Sequence, residues 1–125
     1  MGLENTPAEI IERTVAAQKE YFASGATLDL TVRKHALRRL ENAIRKWEKP
    51  LADALMADLH KSYEEAYMTE LSIVLGEIRN QLRHLSRWAA PQRRPTPLKM
   101  FPSSSRIEVE PLGVALIISP WNYPV

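Results

Sequence analysis

The sequence predicts an α/β protein whose first part is helical and whose last part contains β-strands. Apolar residues recur at three- and four-residue steps over the first ninety residues, which is the period of amphipathic helices. Prolines then become frequent between Pro91 and Pro102, and the apolar period changes to two in Arg106–Glu110. The branched, apolar run Val114–Ile118 does not alternate, which is typical of a strand covered on both faces, as in a parallel sheet between helices.

Four helices are predicted from these stripes and from their boundary signals. Thr6–Glu9 matches a capping box with proline at the first helical position, and Gly25 is a stop signal for that helix. Ser62–Glu65 is a second capping box at the start of the longest helix. The predicted helices cover, in order, about residues 7–24, 31–47, 51–59 and 63–89.

The β segment is predicted as a hairpin that leads into a covered strand. Arg106–Glu110 has one polar face, Pro111–Gly113 is a turn sequence, and Val114–Ile118 follows it. A covered strand requires neighbours on both edges, and parallel neighbours require crossover connections of about a dozen residues or more. Because this chain offers only one other strand candidate, we expect it to be the beginning of a longer protein.

The change in composition predicts three parts of the chain. Residues 1–90 are predicted as the helical part, 91–103 as a proline-rich extended linker, and 104–125 as the hairpin and the covered strand. The last part is an incomplete domain, because the sheet to which its strand would belong is not present in the sequence.

Composition excludes several classes of function. The 125 residues carry 17 basic and 15 acidic side chains, a net charge of +2, which is too small to indicate nucleic-acid binding, and no cysteine. Disulfides, thiolate metal sites and a cysteine nucleophile are therefore absent from this stretch. The longest apolar run, five residues, is too short to span a bilayer, and no secretory signal is present, so we expect a cytoplasmic protein.

Two other groups of residues are explained without a special function. The three histidines lie on different predicted helices and lack nearby carboxylates at ligand spacing, so no metal site is predicted. The basic residues of the second helix, together with Arg93 and Arg94, are better explained as a solvated face than as a nucleic-acid surface. The histidines are His35, His60 and His84.

The final stretch, ISPWNYPV, holds the candidate functional residues. The residue before a proline avoids the helical region, and proline lacks an N–H donor, so Pro120 and Pro124 force the chain out of the sheet. Ligands of open α/β sheets bind at this carboxyl edge. The side-chain amide of Asn122 could stabilise an oxyanion without exchanging a proton. From the residues alone, an asparagine that satisfies turn backbone groups is the favoured interpretation.

The same residues resemble a known family. Pro111–Val114 leading into Ile118–Pro124 is similar to the strand-and-loop signature of the aldehyde dehydrogenase superfamily. Ala57–Lys61 and Phe101–Arg106 resemble its class 3 branch, which includes fatty, benz- and coniferyl aldehyde dehydrogenases. The resemblance extends from about the second helix to the end of the chain and implies that Val114–Ile118 is the first strand of a Rossmann-like coenzyme domain.

The resemblance implies an activity and roles for individual residues. Such enzymes oxidise an aldehyde to a carboxylic acid with NAD or NADP, through a thiohemiacetal on a cysteine. By this resemblance Asn122 is the catalytic oxyanion donor, and Tyr123 faces the aldehyde. Ser119, Pro120 and Trp121 line the cofactor cleft.

The resemblance also sets the expected behaviour of this chain. Without the cysteine and a glycine-rich nucleotide loop, the 125 residues alone are expected to be inactive. The full-length protein is expected to be a homodimer that acts on an aldehyde, and the choice between NAD and NADP stays open. The alternative is a free-standing helical interaction module with a carboxyl-terminal docking strand.

Overall fold

The computed structural model describes residues 5–125 and consists of helices followed by a small antiparallel sheet. A π-helical turn, Tyr67–Leu71, joins the fourth α-helix to the fifth, so these form one continuous helix. This continuous helix matches the fourth predicted one, and the prediction of four helices is confirmed. The α-helices are α1 Ala8–Ala23, α2 Leu30–Lys46, α3 Glu48–Leu59, α4 Tyr63–Ala66 and α5 Ser72–Trp88.

The boundary signals in the sequence predict two helix ends correctly and two incorrectly. Gly25 follows α1 with φ +75°, a left-handed conformation that glycine adopts without strain, and the Ser62 hydroxyl accepts a hydrogen bond of 3.2 Å from the Glu65 N–H. The predicted cap at Thr6 is wrong, because Pro7 precedes α1 and no side chain caps it. Helix α3 begins at Glu48 rather than after Pro50, since a first-turn residue needs no N–H donor.

The π-helical turn changes which side chains face the core. The step from Ala66 to Leu71 is five residues, and both side chains are fully buried. Tyr67, the first residue of the turn, is 36% exposed. A charged side chain of this turn, Glu70, is also on the buried face, four residues after Ala66.

The core consists of two clusters beneath the continuous helix. The first joins α2 to α5 and contains Ile44, Leu71, Leu75 and Ile78. The second joins α3 to α4 and contains Ala52, Leu55 and Ala66. Val125, the last residue, packs against both clusters, so the end of the chain lies on the helical core.

The sheet pairs the start of the predicted strand Arg106–Glu110 with a segment that was not predicted as a strand. Strand β1, Gln92–Arg94, pairs antiparallel with β2, Ser105–Ile107, with Arg93 opposite Arg106. A 3₁₀ turn, Leu98–Met100, lies in the connection. A strand therefore lies inside the segment that was predicted to be a linker, because its prolines fall outside the paired positions.

The predicted strand Val114–Ile118 is not formed among the described residues. Leu116, Ile117 and Ile118 are 84%, 86% and 80% exposed, and no other segment offers them a backbone partner. A covered strand cannot form without neighbours, which is the physical reason for the difference.

Candidate functional site

The segment from Ser119 to Val125 leaves the extended chain in a turn. The Tyr123 N–H donates to the Pro120 carbonyl oxygen at 3.3 Å, which closes the turn around Trp121 and Asn122. The Trp121 side chain is 91% exposed, and Asn122 is also exposed. The turn therefore presents the side-chain amide of Asn122 to the surroundings.

The backbone of this turn is held by a buried ion pair, which we call the Lys61–Glu70 pair. The Lys61 ammonium lies 2.7 Å from Glu70 Oε1 and donates to the carbonyl oxygen of Asn122 at 2.6 Å. The other carboxylate oxygen of Glu70 accepts from the Val125 N–H at 3.0 Å. The Lys61 Nζ also lies 3.9 Å from the centre of the Tyr123 ring, within cation–π distance.

Local backbone geometry brings both charges inside. His60 ends α3 with φ 57°, a left-handed conformation that turns the next residue, Lys61, toward the core. Glu70 follows the buried Ala66 by four residues, about one helical turn, and so lies on the same face of the helix. Lys61 is 8% exposed and Glu70 is 2% exposed, so their attraction is little screened by solvent.

A cleft separates the last residues from α3. It has a volume of about 380 Å³, and its walls are mainly apolar. Leu51 and Leu55 form the helical wall, and Trp121 and Val125 form the opposite wall. Such a space can hold apolar groups close to the turn that carries Asn122.

Two pKa shifts mark contacts between the helices that support the site. The Arg45 guanidinium, hydrogen-bonded to Glu41, lowers the pKa of that carboxyl, and burial opposes the shift. Arg79 of α5 lowers this pKa further. The hydrogen bond from the Tyr63 hydroxyl to the Glu48 carboxylate raises the pKa of Tyr63.

The structure brings the predicted site residues together in one turn, but their roles stay predictions. Ser119, Pro120 and Trp121 are exposed, as a cofactor-facing surface requires. The Tyr123 ring packs under Lys61 and is 45% exposed. Sequence reasoning missed the part played by the Lys61–Glu70 pair, although a glutamate four residues from Ala66 and Val74 was a signal.

The described residues hold neither a cluster of metal-binding side chains nor a membrane-spanning helix. Within residues 5–125, no three histidine, aspartate or glutamate side chains lie close enough to share a metal ion. His84 is instead engaged locally, with Nδ1 2.8 Å from Asn80 Oδ1 and its ring stacked on Trp88. No helix in the described part of the chain is long and apolar enough to cross a membrane.

Comparison with known proteins gives a consistent family. The model of the aldehyde dehydrogenase family matches residues 2–125. The chain is 40% identical over 115 residues to 4,4'-diaponeurosporen-aldehyde dehydrogenase of Staphylococcus aureus, covering 92% of this chain and 25% of that protein. It is 41% identical over 121 residues to the dimeric NADP-preferring aldehyde dehydrogenase of Canis lupus familiaris, covering 94% of this chain and 25% of that protein. Other relatives are family 3 members from Arabidopsis thaliana and Bos taurus.

A solved structure shows the same fold. The substrate-bound state of Staphylococcus aureus AldH superposes with a TM-score of 0.78 at 35% identity. The match covers 86% of this chain and 23% of that chain. The chain thus spans about a quarter of the length of the proteins that it matches.

Proposed function

The chain belongs to the aldehyde dehydrogenase family, and from that membership we propose that it is the amino-terminal part of a class 3 enzyme. The enzyme oxidises aldehydes to carboxylic acids with NAD or NADP, through a thiohemiacetal on a cysteine outside these residues. The observation that carries the proposal is the family match over residues 2–125, which includes the turn that presents Asn122.

Asn122 is proposed to supply the oxyanion donor of this reaction. Its amide Nδ2 donates a hydrogen bond but holds no acidic proton, so it stabilises negative charge on the aldehyde oxygen without protonating it. The exposed side chain is free to meet a substrate, while its main-chain carbonyl is held by Lys61. A fixed donor loses little to reorganisation when charge develops, which is why its stabilisation is large.

The residues described here do not by themselves fit a dinucleotide. The four glycines are scattered along the sequence and form no phosphate-binding loop. Ser119, Pro120 and Trp121 offer one exposed wall, and that wall is their proposed contribution to cofactor binding.

Replacement of Asn122 by alanine in the full-length enzyme tests the proposal. We expect kcat to fall by about 10²–10³-fold, because one oxyanion donor is lost, and the cofactor dissociation constant to stay close to that of the wild type. Asn42→Ala, an exposed asparagine on α2, is the matched control and should leave both constants unchanged. A kcat of Asn122→Ala within a few-fold of wild type would return Asn122 to a turn role.

The 125-residue chain is expected to show no aldehyde oxidation and no measurable NAD or NADP binding. It lacks the cysteine nucleophile, and its glycines form no nucleotide loop. Turnover by the purified chain would overturn the assignment of roles. The reading frame after Val125 gives a second test, since a cysteine and a glycine-rich loop there support the enzyme, and a stop codon supports the helical interaction module.

The wider properties of the enzyme are proposed on the same basis. We propose that it is a cytoplasmic homodimer, and the canine relative, which is a dimeric enzyme, supports the second assignment. Cell fractionation and light scattering of the full-length protein test the two assignments separately.

A further inference from the structure

We propose that the Lys61–Glu70 pair sets the position of Asn122, so that Lys61 and Glu70 are positioning residues for the reaction. This inference rests on the proposed function, because it concerns the residue that we assign to the oxyanion. It adds two residues, from α3's end and from the π-helical turn, that do not themselves contact the aldehyde.

The contacts of the pair are directed at the last residues rather than only at each other. The ammonium of Lys61 has three donors, of which one meets Glu70 Oε1 at 2.7 Å and another the Asn122 carbonyl oxygen at 2.6 Å. Its remaining side lies over the Tyr123 ring at 3.9 Å. Glu70 Oε2 receives the Val125 N–H at 3.0 Å. The pair therefore holds three residues of the turn and its exit.

The burial of the pair favours a geometric role. Two buried charges cost desolvation energy, and replacing such a pair by apolar side chains is often neutral or stabilising. The stability of the core alone therefore gives no reason for the pair to be present. What an apolar pair could not do is hold a carbonyl oxygen and an amide at fixed points. The side chains of Lys61 and Glu70 are 10% and 1% exposed, which makes the hydrogen bonds resistant to competition from water.

The held atom is close to the reacting group. The Asn122 carbonyl belongs to the same residue as the amide Nδ2, and the Pro120–Tyr123 hydrogen bond restricts the turn from the other side. A misplacement of about 1 Å in a catalytic group can reduce a rate by about 10²-fold. Loss of the Lys61 bond therefore acts on kcat through Asn122.

The first experiment replaces both charges in the full-length enzyme. Lys61→Met with Glu70→Gln leaves no unpaired buried charge, so the fold should be retained, and helical circular dichroism checks this. We expect kcat to fall about 10–100-fold with an unchanged cofactor dissociation constant. Lys49→Met, which removes a lysine of an exposed ion pair with Asp53, is the control and should behave as wild type.

A double-mutant cycle separates positioning from general stability. In the Asn122→Ala background, the Lys61→Met/Glu70→Gln change should lower kcat by less than about twofold, because the group that it positions is already gone. If the two losses multiply, the pair acts elsewhere and the inference is overturned. It is also overturned if the pair variant keeps wild-type kcat while Asn122→Ala is impaired, and the proposed function then still stands.

A measurement on the 125-residue chain covers the remaining case, in which Asn122→Ala is fully active and the proposed function fails. Nuclear magnetic resonance should show the Lys61 ε-protons shifted upfield by the Tyr123 ring, and the Val125 amide protected from exchange. The Lys61 shift should be lost in Tyr123→Leu, the Val125 protection should weaken in Lys61→Met/Glu70→Gln, and both signals should persist in Lys49→Met. If they are missing from the wild type, the pair does not hold the turn.

Discussion

The continuous helix α4–α5 and the run Val114–Ile118 both contain branched aliphatic side chains, but only the helix buries them. Leu71 and Leu75 are 0% and 2% exposed, whereas Ile117 is 86% exposed. A helix satisfies its backbone hydrogen bonds within one segment and needs only a surface to pack against. A strand requires a second strand, and the described residues offer none to Val114–Ile118. The helix, whose hydrogen bonds are local, is therefore formed, whereas the strand, whose hydrogen bonds would join distant segments, is not.

Alanine at Leu71 should give the largest effect on this comparison. The side chain is fully buried between α2 and the π-helical turn, so its truncation leaves a cavity and should lower the free energy of unfolding by about 2–5 kcal/mol. Ile117→Ala, at an exposed site, should change it by less than about 0.5 kcal/mol. Urea unfolding of the 125-residue chain, followed by circular dichroism, measures the free energy of unfolding of both variants. Equal losses at the two sites would mean that Ile117 is packed.

Loss of the cap at Ser62 should give an intermediate effect within the helical part. Its hydroxyl accepts the Glu65 N–H at the start of α4, and Ser62→Ala should cost about 1 kcal/mol of unfolding free energy. Thr6→Ala, at the cap that the structure does not form, is the matched control and should be neutral. Similar losses for both variants would show that Thr6 caps α1 in solution.

The smallest effect is expected from acid titration of Glu41, which joins α2 to α5. Because Arg45 and Arg79 lower the folded pKa of Glu41, its stabilising contribution is present above the ordinary value near 4.5 and is lost as the pH falls through the lower folded value. The melting temperatures of wild type and Glu41→Gln should therefore differ at neutral pH and converge in acid. A difference that stays constant with pH would exclude this pairing as its cause.

The helices could be predicted because their signals are local. Gly25 ends α1 and Ser62 begins α4, as their residue types indicated. The π-helical turn could not be predicted from a regular period, because it shifts the buried positions by one residue after Ala66. Leu71 is buried five residues after Ala66, where a regular helix would place the next buried position after three or four.

The candidate site could be predicted only in part, for a similar reason. The prolines around Trp121 and Asn122 indicate a turn from their own chemistry. The Lys61–Glu70 pair depends on contacts between residues far apart in the sequence, and on the left-handed backbone of His60, which no single local pattern reveals. The predicted strand Val114–Ile118 is not formed, because a strand needs a neighbouring strand for its backbone hydrogen bonds.

The most direct test of this account is the association state of the 125-residue chain. If Val114–Ile118 is a strand without neighbours, its exposed apolar side chains and unpaired backbone should cause self-association that increases with concentration. Sedimentation velocity compares the wild type with Leu116→Lys/Ile118→Lys, which places charge at two exposed positions and should leave helical circular dichroism unchanged. We predict that the wild type associates and that the variant remains monomeric. A wild type that remains a monomer at high concentration would contradict the account.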